Sequence, residues 1–322
     1  MEKGLVSIIT PCYNGEKTIA RLFDSILNQT YKKIEYIFVN DGSTDRTEEI
    51  VENYKDQFAT KGIMFKYFYQ NNKGLGGAID TGLKHFTGEF LCWPDADDYL
   101  ESNSIEERVN VLKANPEYAI VTSDAFVRDY NDLYAYKSFI SNGKKHLSEK
   151  KQFKNLLDED GIFCTGCHMV RSNAFLEVNP KRSIYPARRG QNWQMLLPIY
   201  YKFDAYFLNK PLYNYIDYPS SMSKNQDCLD SYLLRFNEHR EILLNTLDMI
   251  EKVQKVYLSN YEIFIEKKYA FLKMHVSLKY FDYKNFDKEF KIKKIYGIEK
   301  RDIIALLRRY IKPLNHLYLR LK

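Results

Sequence analysis

The stretch LCWPDADDYL, residues 91–100, sets Asp95, Asp97 and Asp98 within four positions directly after an apolar run. Carboxylates a few ångströms apart raise one another's pKa, so three cannot all rest as free anions. A divalent cation resolves the conflict. Hard oxygen ligands suit Mg²⁺ or Mn²⁺, usually with one or two carboxylates and with water and substrate phosphates completing the shell. Asp-rich turns are common on surfaces, so Asp95-Ala96-Asp97 alone is a weak signal. Its context is stronger: a buried-looking strand ends in Trp93-Pro94, and two further polar turns fall at comparable strand ends.

Those turns hold the parts of a nucleotide site. In VNDGSTD, Asp41 is placed to accept from a base N–H or a ribose hydroxyl, and Gly42 permits close backbone approach. Ser43 and Asp45 are expected to cap the following helix. In PCYNG, Tyr13 offers a ring face and Asn14 a donor and an acceptor, although Asn-Gly is also an ordinary turn. NNKGLGG, residues 71–77, has the glycines of a phosphate loop without matching GxGxxG or a Walker motif. Lys73 is its candidate diphosphate contact, a solvated lysine being the competing reading.

The elements that must position these turns are short apolar runs, Leu5 to Thr10, Ile34 to Val39, Ile63 to Tyr69, Phe90 to Trp93 and Ala119 to Thr122. Continuous rather than alternating, they read as buried parallel strands. Between them Ile19, Leu22, Phe23, Ile26 and Leu27 share a helical face, as do Ile50, Val51, Tyr54 and Phe58, and Ser104 with Glu107 predicts a capping box. Strand and helix in alternation imply an α/β fold with an open, mostly parallel sheet, whose ligands bind at the carboxyl ends of the strands. Beyond about residue 224 the pattern becomes long helices. The expected division is a catalytic domain over 1–223 and a helical region over 224–322.

Composition bounds the function class. Of 322 residues, 45% are hydrophobic and 15% aromatic, with 27 tyrosines, enough for a sizeable core. No stretch approaches the ~20 apolar residues of a membrane span, and no basic, apolar, small-residue leader pattern opens the chain, so a cytoplasmic location is expected. Five irregularly spaced cysteines form no disulfide framework. Residues 282–322 carry twelve Lys or Arg against five Asp or Glu, and Ile303, Leu306, Leu307, Tyr310, Ile311, Leu314, Leu317 and Leu321 keep an apolar helical stripe there, with Pro313 as a kink. Such a basic amphipathic tail, residues 301–322, suits peripheral contact with an anionic membrane or packing on protein, and an oligomer is compatible with it. Nucleic acid is not expected, because no recognised module is present.

VSIITPCYNGEKTIARLFDSILNQTYKKIEYIFVNDGSTDRTEEIV, then NNKGLGGAIDTGL, then GEFLCWPDADDYL resembles the family 2 glycosyltransferases of GT-A fold, over about residues 4–125 and more loosely to about 225, where YNYIDYPSSMSKN is similar to the family's closing segment. The resemblance implies transfer of a hexose or N-acetylhexosamine from a nucleotide diphosphate sugar, UDP-linked by preference, with inversion, to a lipid-linked or growing surface glycan. It implies that Pro11, Tyr13 and Asp41 hold the base, that Asp95 meets ribose or sugar, and that Asp97 or Asp98 binds the metal bridging the diphosphate. Charge left on that diphosphate is what a fixed cation stabilises.

One motif departs from the family. Where a Glu-Asp-Trp-like base is expected the chain reads ARRGQNWQMLL, with Gln191 and Asn192, and neither amide takes a proton. Three explanations compete, in this order: Asp124 or Asp204 serves instead, the acceptor is already an anion such as a polyprenyl phosphate, or the protein is a nucleotide-sugar-binding scaffold. Arg188 with Arg189 would suit an acceptor phosphate, and Gln191, Asn192 and Trp193 would line the acceptor site. Nucleotidyl transfer is a further alternative, told apart by release of pyrophosphate. CTGCH, residues 164–168, matches the haem c attachment signature, but without an exported context the plain reading is buried thiols and a pocket histidine, His168, near the acceptor.

Overall fold

The computed structural model describes residues 1–219, 221 and 228–311. The chain forms two compact units, Met1–Tyr218 and Pro219–Lys322. The boundary expected between 223 and 224 falls outside the described residues, as do Pro313 and the tail beyond it.

The first unit opens with three strands and the helices between them: β1 (Glu2–Cys12), α1 (Ile19–Leu27), β2 (Ile34–Asn40), α2 (Thr47–Thr60) and β3 (Met64–Tyr69). It continues through α3 (Gly74–Leu83), β4 (Gly88–Cys92), the two-residue β5 (Tyr99–Leu100) and α4 (Ser104–Ala114). A long hairpin follows, β6 (Tyr118–Asp129) and β7 (Asp132–Phe139), then α5 (Phe153–Leu157), β8 (His168–Arg171), α6 (Ser172–Val178), α7 (Gln191–Lys202) and β9 (Asp204–Asp217). The sheet order is β3-β2-β1-β4-β8-β6-β9-β5, with β7 paired to β6. Strands β1 to β4 are parallel, as their apolar runs imply. The sheet becomes mixed beyond them, because β8 runs antiparallel to both β4 and β6 while β9 runs parallel to β6.

Burial explains the strand pattern. All seven residues of β2 are buried between its neighbours, whereas β3, at the sheet margin, is only half covered. Helix α1 turns Ile19, Leu22, Phe23 and Ile26 wholly inward, each contributing about 1.5–3 kcal/mol by leaving water. Phe23 sits edge-on to Tyr36, Phe38, Tyr54 and Phe58 at centroid distances of 5.2–5.8 Å, the geometry that aromatic quadrupoles favour. The capping box expected at Ser104 does not form. Ser104 is the first helical residue rather than the cap, its hydroxyl accepts from Arg108 Nη2 at 2.8 Å, and Glu107 pairs with Lys210 at 2.9 Å.

Register brings the functional turns together. Cys12 pairs with Asn40 and Asn40 with Tyr69, so the turns after β1, β2 and β3 share the sheet's carboxyl edge. The Thr10 hydroxyl donates to the Pro94 carbonyl at 3.2 Å and joins the turn after β4 to them.

The second unit consists, among the described residues, of α8 (Leu229–Gln254), α9 (Ser259–Lys279), α10 (Tyr283–Tyr296) and α11 (Lys300–Tyr310). No described helix is long and apolar enough to cross a membrane. Its small core of Met274, Leu278, Phe286 and Ala305 is joined by buried ion pairs, Lys293 with Asp302 at 3.4 Å and Lys273 with Glu289 at 3.8 Å. Helix α11 divides its residues differently from the sequence expectation. Ile303, Ile304, Leu307 and Tyr310 are exposed, while two basic residues are drawn into the unit, Arg309 pairing with Asp287 at 3.1 Å and Arg308 buried against His275 at 3.3 Å; Arg301 stays exposed and pairs with Glu299 at 2.9 Å.

Candidate functional site

The first two turns are locked by backbone N–H groups donating to side-chain oxygens. Asn14 N–H donates to Ser43 Oγ at 2.9 Å, Gly15 N–H to Thr47 Oγ1 at 2.8 Å and Glu16 N–H to Asp45 Oδ2 at 2.9 Å. In return Thr44 N–H donates to Asn14 Oδ1 at 2.8 Å, so that amide oxygen serves the fold. Asp45 also caps the helix entrance through Thr47 N–H at 3.0 Å, whereas Ser43 holds Asn14 instead of a helix end. Pro11 is buried in β1, and Tyr13, 54% exposed, presents its ring at the turn.

Asp41 ties the second turn to the third. It is buried, and its Oδ1 accepts from Gln70 Nε2 at 2.6 Å and from Lys73 N–H at 2.9 Å. Gly42 has φ 74°, and a Cβ there would stand 2.8 Å from the Asn72 nitrogen, so both conformation and space demand glycine.

At the fourth turn the three aspartates part company. Asp97 is exposed, and its backbone carbonyl accepts from the Arg21 guanidinium. Asp98 is 2% exposed, with Oδ1 accepting from Ile216 N–H at 2.8 Å and Tyr213 bonding the same carboxyl. Asp95 lies between them in depth: its N–H donates to the Tyr213 oxygen at 3.2 Å, and Oδ2 accepts from the Thr165 hydroxyl at 2.8 Å. Burial, and then the charge of Asp97, push the Asp95 carboxyl up to about 7. Asp97 is raised by its packed surroundings, with Arg21 pulling it back. Burial also holds Asp98 well above the carboxylate range, and its two neighbours add to that. Asp98 therefore anchors β9, while Asp95 and Asp97 form an electrostatic conflict at the surface.

A strap over α3 brings the arginines to the glycine-rich turn. Gly76 N–H donates to the Ala187 carbonyl at 2.9 Å, and a Cβ on Gly76 would stand 2.7 Å from that oxygen. Gln194 clamps the strap with two bonds to the Tyr185 backbone, accepting from N–H at 2.6 Å and donating to C=O at 3.0 Å. Arg188 is exposed and its backbone passes beside Gly74, next to exposed Lys73; Arg189 is half-buried.

The expected acceptor residues are placed more deeply. Gln191 is buried, and Trp193 is buried edge-on to Phe163 at 5.5 Å. Asn192 accepts from Trp93 Nε1 at 3.3 Å and donates to the Phe163 carbonyl. His168 does not open onto a pocket. Fully buried, it accepts from Thr122 Oγ1 at Nδ1, 3.0 Å, and donates from Nε2 to the Ile162 carbonyl, 3.1 Å. Cys164 and Cys167 are free and buried. Both proposed replacements for the base are engaged elsewhere: Asp124 is buried with its carboxyl accepting from Ser141 Oγ at 2.6 Å, and Asp204 pairs with Lys151 where β9 begins, at the opposite edge of the sheet.

Burial lowers the His168 pKa to about 3, against about 6.5 in an unfolded chain. As pH falls below 6.5 the unfolded state gains a proton that the folded state refuses, so this histidine's contribution is present at neutral pH and lost in acid. Urea unfolding should show wild type losing up to about 1.4 kcal/mol per pH unit more than His168→Asn between pH 6 and 4. Equal slopes would overturn the assignment.

Four site residues escaped the sequence reading: Thr165, Tyr213, Gln194 and Arg21. Thr165 and Tyr213 lie 70 and 118 positions from Asp95; both fall inside motifs the sequence offers, CTGCH and YNYIDYPSSMSKN, but nothing in those motifs ties them to the acidic turn. Among the described residues no group of three or more His, Cys, Asp or Glu side chains could hold a metal alone. The chemistry of Asp97 with Asp95 still fits a hard cation that takes other ligands from a substrate.

The family model described as "Glycosyl transferase family 2" matches residues 7–178. An uncharacterized glycosyltransferase of Rickettsia typhi is 45% identical over 108 residues, 34% of this chain and 32% of that protein. The chain spans 26–32% of the length of the three Rickettsia glycosyltransferases from typhi, prowazekii and bellii that it matches. Among solved structures, S. aureus TarS residues 1–349 in complex with UDP-GlcNAc superposes with TM-score 0.56 at 18% identity, covering 91% of both chains. The mannosyltransferase PcManGT of Pyrobaculum calidifontis, in complex with GDP-Man and Mn²⁺, gives TM-score 0.54 at 14% identity over 97% of this chain and 82% of that one. At these identities the likeness shows the fold, which is of GT-A type.

Proposed function

Since the chain belongs to glycosyl transferase family 2, we propose that it transfers a sugar from a nucleotide diphosphate sugar, UDP-linked, to a lipid-linked or growing surface glycan. The observation that carries this reading is the pairing of Asp95 and Asp97 beside the Asp41 turn and the glycine-rich turn. Two carboxylates in conflict at a strand end call for a cation, and the TarS and PcManGT complexes contain, respectively, a UDP-sugar and a GDP-sugar with Mn²⁺.

In this reading Pro11, Tyr13 and Asp41 receive the base, Asp95 meets ribose or sugar, and Asp97 would hold Mg²⁺ or Mn²⁺, an ion that would supply positive charge for the diphosphate. Asp98 positions the turn from behind. Lys73, Arg188 and Arg189 face the phosphates as point charge and forks. The acceptor oxygen bonds the anomeric carbon from the face opposite the departing nucleoside diphosphate, which inverts configuration. Gln191 and Asn192 orient hydroxyls without taking a proton, so a hydroxyl acceptor releases its proton to water. A polyprenyl phosphate acceptor has none to release, and those two amides favour it as the second reading.

UDP with Mn²⁺ is expected to raise the melting temperature, by the equivalent of about 2.7 kcal/mol at a hundred times Kd, and UDP alone to do much less. A panel of UDP and GDP compounds without effect, metal present or absent, would count against donor binding.

A further inference from the structure

The hairpin of β6 and β7 carries exposed aromatic side chains that the donor chemistry leaves unused. Tyr134 is 96% exposed, Tyr136 53% and Tyr130 44%. Single exposed aromatics need no explanation, but three exposed within seven positions of one hairpin are a local concentration that calls for one. Strand β8 pairs with β6 over Ile120–Thr122 and β7 over Phe126–Asp129 on the same flank, so the hairpin stands beyond β8 at the sheet's carboxyl end. There the Tyr130 ring lies 6.1 Å from that of Tyr218, whose hydroxyl accepts from Arg21 Nη2 at 3.1 Å. The same Arg21 nitrogen donates to the Asp97 carbonyl. Two side chains, Tyr218 and Arg21, thus link the aromatic run to the acidic corner.

Charge narrows the occupant. Lys137 bridges Asp129 at 3.0 Å and Asp217 at 3.2 Å, and Arg128 bonds Asn214 at 2.7 Å and lies over the Phe126 ring at 4.5 Å. With both cations engaged, the patch has no surplus positive charge for a phosphate-rich polymer or an anionic membrane. Flat rings with polar edges instead match the C–H face and peripheral hydroxyls of a sugar.

We propose that Tyr130, Tyr134 and Tyr136 form a stacking surface for the acceptor glycan, gripping sugar units next to the one that receives the transferred residue. This rests on the glycosyl-transfer reading above. The test is calorimetric titration with chitohexaose, cellohexaose and maltoheptaose of wild type, the triple Tyr→Ser variant (Y130S, Y134S, Y136S) and the matching triple Tyr→Phe variant. At least one oligosaccharide should bind wild type, with Kd raised tenfold or more in the serine variant and within threefold in the phenylalanine variant. No binding by any of the three, or equal binding by the serine variant, overturns the proposal. The UDP and Mn²⁺ melting shift, measured on the same samples, keeps the two readings apart. A normal shift with unweakened glycan binding sinks only the hairpin surface, a missing shift in wild type sinks the donor reading, and a normal shift in the serine variant shows that it is folded.

Discussion

Replacing Asp97 by Asn will lower sugar transfer, or donor hydrolysis in the absence of acceptor, by about 10²–10³-fold, the usual cost of deleting one charge-stabilising contact to a transition state. The exposed position of Asp97 makes this a functional rather than a structural loss. Neutralising it also removes the charge that helps raise Asp95, so the variant's corner no longer carries two competing anions and has less need of a cation. Initial rates of UDP release from UDP-GlcNAc across a Mn²⁺ series, beside urea unfolding, check both parts. A variant as fast as wild type at every metal concentration would remove Asp97 from the chemistry.

The largest stability effect is expected at the other edge of the sheet. Glu35 is wholly buried in β2, where it accepts from Lys66 Nζ at 2.7 Å, Thr87 Oγ1 at 2.9 Å and Gly88 N–H at 3.1 Å, and also from Ser7 Oγ and Thr87 N–H. Glu35→Ala leaves those donors unpaired around a cavity and should cost about 3–5 kcal/mol, as breaking a buried pair does. Burial opposes the charge, but Lys66, Ser7 and Thr87 outweigh it and hold the carboxyl below its ordinary value. The sign follows. The stabilisation is fully present above the unfolded pKa of about 4.3 and fades as pH falls through the lower folded value, so wild type and variant should converge in strong acid. Urea titrations at pH 7 and in the acid range measure it; a cost under about 1 kcal/mol at pH 7 would refute the account.

Much of this architecture was legible in the chain because it is written locally. The run Ile34 to Val39, nearly continuous and bounded by a polar turn, reads as a strand covered on both faces, and the spacing of Ile19, Leu22, Phe23 and Ile26 leaves one face of α1 to bury. The carboxyl-edge location of the four turns followed from the alternation of strand and helix. What escaped depends on contacts distant in sequence. Asp97 and Asp98 are adjacent and chemically identical, and only Ile216 and Tyr213, on β9, draw one of them inward. The buried state of His168 required Thr122 and Ile162 to satisfy its two nitrogens, and the loss of the Ser104 cap required Arg108 to claim the hydroxyl. The mixed character of the sheet beyond β4 was equally hidden, since β8 is only four residues long.

The side chain of Asn192 faces two neighbours of opposite need, an indole that must give a hydrogen and a peptide oxygen that must receive one. Only an amide answers both at once. An acid at this position would set anion against carbonyl and loosen the seam between Trp93 and the start of α7, so the chain cannot regain a proton acceptor here by a single exchange of residue.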